Sequence, residues 1–145
     1  MAIIYRCNQQ IGCSFEVWSK TVTLAEWLDH CSAIATDPDW PCGKRHFVDL
    51  RSASDISTIY ESDLDEVASM FSIYPERLKD LQIAMLVVPQ NQTKGELFGK
   101  FISRLGVNVQ ATETFEEACG WLGIDCDQAK AVFSDLKQKF TKFDS

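Results

Sequence analysis

The amino-acid sequence predicts an α/β protein: a mixed, mostly parallel sheet of about five strands, with packed helices and an N-terminal antiparallel hairpin. Three observations predict it. Segments of strand-like and helix-like periodicity alternate along the chain. The run Ile83-Ala84-Met85-Leu86-Val87-Val88 is apolar on both parities, as in a strand covered on both faces at the centre of a parallel sheet. The first two strand-like segments are separated only by Asn8-Gln9-Gln10-Ile11-Gly12, polar and ending in glycine as a hairpin loop should.

Residues 3–7 and 13–19 read as the strands of that hairpin. In the second, Cys13, Phe15 and Val17 alternate with Ser14, Glu16 and Trp18, a partly polar face that suits an antiparallel strand near a sheet edge. Thr23-Leu24-Ala25-Glu26 is a capping box, a hydroxyl at the cap and a carboxylate three residues on. Leu24, Trp27, Leu28, Cys31 and Ile34 then share one helical face. The helix stops before Asp37-Pro38, because the residue preceding proline is driven out of helical geometry. A turn-rich connector leads to the compact strand His46-Phe47-Val48-Asp49-Leu50, and the small, polar residues after it form a loop. Leu64, Val67, Ala68 and Phe71 mark the next helix with Ser62 as its cap, and Pro75 opens a short one carrying Leu78 and Leu81. After the central strand, a polar loop over 89–94 enters a helix that buries Leu97, Phe98, Phe101 and Ile102 and that Gly106 stops. Residues 107–111 alternate as a last, half-exposed strand. Thr114-Phe115-Glu116-Glu117 is a second capping box, and Asp125 caps a final helix with Ala129, Val132, Phe133, Leu136 and Phe140 on one face. One domain over residues 1–124 thus carries a helical appendage, 125–145, whose apolar stripe must be covered by the body or by another subunit.

At 145 residues the chain holds one globular domain, and its formal net charge of −7 repels a phosphate backbone, so nucleic acid is not an expected partner. The longest purely apolar run, 83–88, is far too short to cross a bilayer, and the first residues lack the pattern of a secretory signal. A cytoplasmic protein without a transmembrane segment is expected. The six cysteines include no CxxC, which leaves neither a thioredoxin-type motif nor a zinc ribbon. Cys7 and Cys13 flank the hairpin turn and are placed to face each other across it. His30-Cys31 and Cys42-x-x-x-His46 match no established ligand spacing, so no metal site is expected. His30 reads as a solvated residue near a helix end and His46 as a strand residue. GxSxG, Walker, GxGxxG and HExxH motifs are absent, and neither catalysis nor a cofactor is expected.

Three motifs carry a family resemblance. Asp37-Pro38-Asp39-Trp40-Pro41-Cys42-Gly43 running into Phe47-Val48-Asp49-Leu50-Arg51 resembles the "DP-W—G—DLR" stretch of SpoIIAA-like proteins. Ala84-Met85-Leu86-Val87-Val88, then Gly95 and Phe101, resembles that family's strand, glycine and helix. Phe115-Glu116-Glu117-Ala118-Cys119-Gly120-Trp121-Leu122 resembles its closing helix. The resemblance spans roughly residues 2–123. It implies a STAS-type sheet, a family that includes anti-sigma-factor antagonists acting through protein contact and a phosphorylated serine, and an architecture similar to lipid-carrying SEC14-type domains. The antagonists' Asp-Ser-x-Gly phosphoacceptor is replaced here by Tyr60-Glu61-Ser62-Asp63, which sets acids on both sides of the serine.

Open α/β sheets bind ligands at the carboxyl ends of their parallel strands. Two polar loops leave such ends: 49–57, with Asp49, Arg51, Ser52, Ser54 and Asp55, and 89–94, with Gln90, Asn91, Gln92, Thr93 and Lys94. The second runs into a helix whose free N–H groups suit an anion beside Lys94. Asp49 and Arg51 equally suit a pair that bonds loop amides, and Thr93 a helix cap. The leading expectation is a non-catalytic regulatory module that binds a protein partner or self-associates as a homodimer. A carrier of a small apolar ligand or lipid is the alternative, on the strength of nine Phe and four Trp. An enzyme acting on an anionic substrate at the two loops is a third.

Overall fold

The computed structural model describes residues 3–53, 56 and 59–144, with 141–144 as backbone. It is an α/β structure with a five-stranded mixed sheet and six α-helices among the described residues. In chain order these are β1 (Ile3–Asn8), β2 (Cys13–Trp18), α1 (Leu24–Thr36), β3 (Arg45–Asp49), α2 (Glu61–Phe71), α3 (Pro75–Leu78), β4 (Gln82–Leu86), α4 (Gln92–Ile102), β5 (Asn108–Thr112), α5 (Phe115–Leu122) and α6 (Cys126–Asp144). The strands lie in sequence order across the sheet, with β1 antiparallel to β2 and all later pairs parallel. Each parallel connection carries its helices over the same face, as right-handed crossovers advancing in one direction require.

Alternation along the strands then divides the interior in two. Trp18, Val48 and Ile83 meet Trp27 and Ile34 of α1, Val67 of α2, Leu78 of α3 and Phe98 of α4. On the opposite face Phe15, Val17, Phe47, Ala84 and Leu86 meet Phe115 and Leu122 of α5 and Ala129, Phe133, Leu136 and Phe140 of α6. The rings of Phe47 and Phe133 cross edge-on with centroids 4.8 Å apart. The apolar stripe of α6 is therefore covered by the body of the same chain. Arg45 ties this face to the hairpin: Nε donates to Gly12 O (3.0 Å) and Nη2 to Ile11 O (3.2 Å), while Nη1 donates to Leu122 O (3.1 Å) and Gly123 O (3.3 Å) at the C-terminal end of α5.

The local signals largely act as read. Thr23 and Glu26 form the capping box of α1, Thr114 accepts from Glu117 N, Asp125 accepts from Gln128 N, and α1 ends ahead of Asp37. Four expectations are corrected. β2 does pair antiparallel, with β1, one strand in from the sheet edge, but its partly polar face is not open to water: helices cover both faces, and all six of its residues are buried. Cys7 pairs in register with Ser14 and Asn8 with Cys13, so Cys7 and Cys13 point to opposite faces of the sheet. Ser62 lies inside α2, whose N-cap is Tyr60; the Tyr60 amide donates to Asp63 Oδ2 at 2.8 Å. Thr93 is exposed in the first turn of α4, where Asn91 holds the N-cap position without a side-chain cap bond. No helix among the described residues is long and apolar enough to cross a membrane.

Candidate functional site

The two polar loops leave neighbouring strands at the same end of the sheet. Leu50 N, just past the end of β3, donates to Leu86 O at the last residue of β4 (2.9 Å). Lys94 Nζ donates to Ile56 O at 2.5 Å, which fastens the first loop over the start of α4. The loops meet, but the sheet separates their side chains. Asp49 and Arg51 turn toward α5 and α6, whereas Lys94 and the buried Asn91 lie on the α1–α4 face. Lys94 thus spends one of its N–H groups on the Ile56 carbonyl. Ser52, Gln90 and Thr93 are exposed at the rim, and Ser54 and Asp55 lie outside the described residues. The strands advance without a reversal of order, so the sheet has no switch-point crevice to gather the two loops into one site.

The Asp49 half is a built arrangement. Asp49 is fully buried at the end of β3. Its Oδ1 accepts from the Arg51 amide (3.0 Å) and from Arg51 Nε (3.1 Å), and its Oδ2 accepts from Arg51 Nη2 (3.0 Å). Lys137 Nζ of α6 approaches Oδ2 at 3.0 Å. Burial pushes the Asp49 carboxyl up, but the bonds from Arg51 and then Lys137 outweigh it and hold it below the usual carboxylate range. Arg51 and Lys137 in turn line an open cleft of about 680 Å³ between α5 and α6, with Asp49 buried beneath them. Arg51 and Lys130 both lie against the ring of Phe115, at 6.0 and 5.8 Å from its centroid. Glu113 and Glu116 stand on the rim, Glu116 at 3.5 Å from Lys130.

A second constellation sits on the other face, where the sequence reading placed none. His30 is not solvated: it lies mid-helix on α1, with its imidazole against Glu16 of β2. Glu16 Oε1 meets His30 Nε2 at 2.5 Å and His46 Nε2 at 3.1 Å, and Oε2 accepts from Trp18 Nε1 at 2.6 Å. Trp40 Nε1 donates to His46 Nδ1 at 3.3 Å. An indole N–H only donates, so Nδ1 is an acceptor and the His46 proton sits on Nε2, pointed at Glu16. The charge that balances the buried carboxylate therefore falls to His30. Burial pushes Glu16 up and His30 down, yet their mutual attraction reverses both, leaving Glu16 well below and His30 above the ordinary values. Beside the network lies an apolar cavity of about 40 Å³, room for a water or two, walled by Ile34, Phe71, Leu81, Met85 and Phe98.

A signal for this cluster was present in the sequence. His30 falls three residues after Trp27 and four before Ile34, on the buried stripe of α1, and Glu16 shares its parity with Trp18. Among the described residues no group of three or more His, Cys, Asp or Glu side chains is disposed to hold a metal ion. No protein-family model, curated protein or solved structure matches the chain.

Proposed function

We propose that the chain is a non-catalytic regulatory module of the SpoIIAA-like type that binds an acidic or phosphorylated segment of a protein partner in the cleft between α5 and α6. One observation carries the reading: the fully buried Asp49 holds Arg51 and Lys137 side by side at the floor of an open cleft, next to a ring that two cations flank. Fixing the cations in advance lowers the ordering cost of a bidentate contact to a carboxylate or phosphate. The ordered motifs and the mixed five-stranded sheet support the family assignment. The interior voids on the α1–α4 face, about 40 and 30 Å³, are too small for an acyl chain, which disfavours the lipid-carrier alternative.

The test is an NMR titration of the 15N-labelled protein with a phosphoserine-containing acidic peptide. Amide shifts should cluster at Arg51, Phe115, Lys130 and Lys137, and Arg51→Ala should weaken binding about tenfold or more. Shifts that map elsewhere, or an affinity indifferent to Arg51→Ala, would overturn the reading.

A further inference from the structure

The outer edge of β5 is open. Asn108 N donates to Leu81 O and Thr112 O accepts from Val87 N, so residues 108, 110 and 112 turn their backbone groups toward β4. Alternation then turns the amides and carbonyls of Val109 and Ala111 outward. Sheet edges are ordinarily protected by a charge, a proline or a bulge, and Asn108-Val109-Gln110-Ala111-Thr112 has no charge and no proline. Gln92 covers part of it: its Nε2 donates to Ala111 O and to Glu96 Oε1, both at 3.1 Å, while its Oε1 is buried without a hydrogen-bond partner among the described residues. The helix above packs closely on this strand. A Cβ on Gly99 would come within 3.2 Å of Val109 Cβ, and one on Gly95 within 3.0 Å of Ala111 Cβ, so α4 lies nearly against β5. Clefts of about 450 and 280 Å³ run along the edge and meet at Gly99, Val109 and Gln110.

What borders those clefts identifies the occupant. On one side is Trp121 of α5, half-buried, the kind of aromatic anchor that dominates interface energetics. On the other are Glu96 and Lys100, one helical turn apart on α4. A two-fold axis beside β5 would set α4 antiparallel to its copy, an arrangement in which Glu96 of each chain can face Lys100 of the other. The uncharged strand meets its own copy without repulsion. We infer that β5 is the interface of a homodimer, joining two sheets edge to edge into one antiparallel-paired ten-stranded sheet. This inference is independent of the cleft at Asp49, which lies toward the ends of the strands.

Sedimentation velocity on the full chain tests it. A dimer should form with increasing concentration up to about 0.1 mM. Glu96→Lys and Lys100→Glu should each weaken it about tenfold, since each pair occurs twice across the axis, and the double reversal should restore it. Gln110→Lys, an exposed position that leaves the bonds to β4 intact, should dissociate it. A monomer at the highest concentration, or a dimer indifferent to these charges, would overturn the proposal.

Discussion

Glu16 accepts hydrogen bonds from three side chains on three different elements, so its ionisation bears on how α1 is held to the sheet. The depressed carboxyl contributes stability above its unfolded value, about pH 4.3, and loses it as the pH falls through the lower folded value. The raised imidazole contributes fully below about pH 6.5 and loses it as the pH rises through its higher folded value. Both contributions are therefore present together from about pH 4.3 to about 6.5, and the melting temperature should decline on the alkaline side of that window. His30→Gln should flatten the alkaline decline. Glu16→Gln should drop the His30 pKa below that of the wild type in an NMR titration and destabilise the fold by about 1–3 kcal/mol. A His30 titration unchanged by Glu16→Gln would contradict the pairing. Other groups near the network are Tyr5 of β1, whose ring lies edge-on to His30, and Cys31 of α1; the cavity walls from α2, α3, β4 and α4 bring no charge.

At the scale of elements, periodicity located the helices and strands because each buries one regular stripe, and the caps fixed several of their starts. What it could not give was which stripe faces which partner. The stripe on α6 was visible as Ala129, Val132, Phe133, Leu136 and Phe140, but its seat on β2 and β3 depends on contacts more than eighty residues away in sequence. The polar face of β2 shows the reverse case. Its polar residues suggested water, whereas Glu16 is buried with its acceptors filled by groups from α1 and β3. The rim was half legible: adjacency of the two loops followed from neighbouring parallel strands, but the division of Asp49 from Lys94 depends on side-chain parity at the strand ends. If α6 is an integral layer, Phe133→Ala should destabilise the chain by about 3–5 kcal/mol in urea unfolding, since that ring meets Phe15, Phe47 and Phe115. A loss below about 1 kcal/mol would mean that α6 is peripheral.

The molecule as a whole is a single sheet between two apolar layers that share only the strands. Substitutions in separate layers should then add. Val67→Ala on α2 and Val132→Ala on α6 should combine to within about 0.5 kcal/mol of their sum, whereas a coupling above about 1 kcal/mol would show that strain crosses the sheet. One residue fastens the α5 side to the hairpin. The four carbonyl oxygens that converge on Arg45 come from residues 11 and 12 at one end of the chain and 122 and 123 near the other. A single delocalised cation on the middle strand thereby clasps the hairpin loop to the end of α5, closing by hydrogen bonds alone a loop of more than a hundred residues of chain.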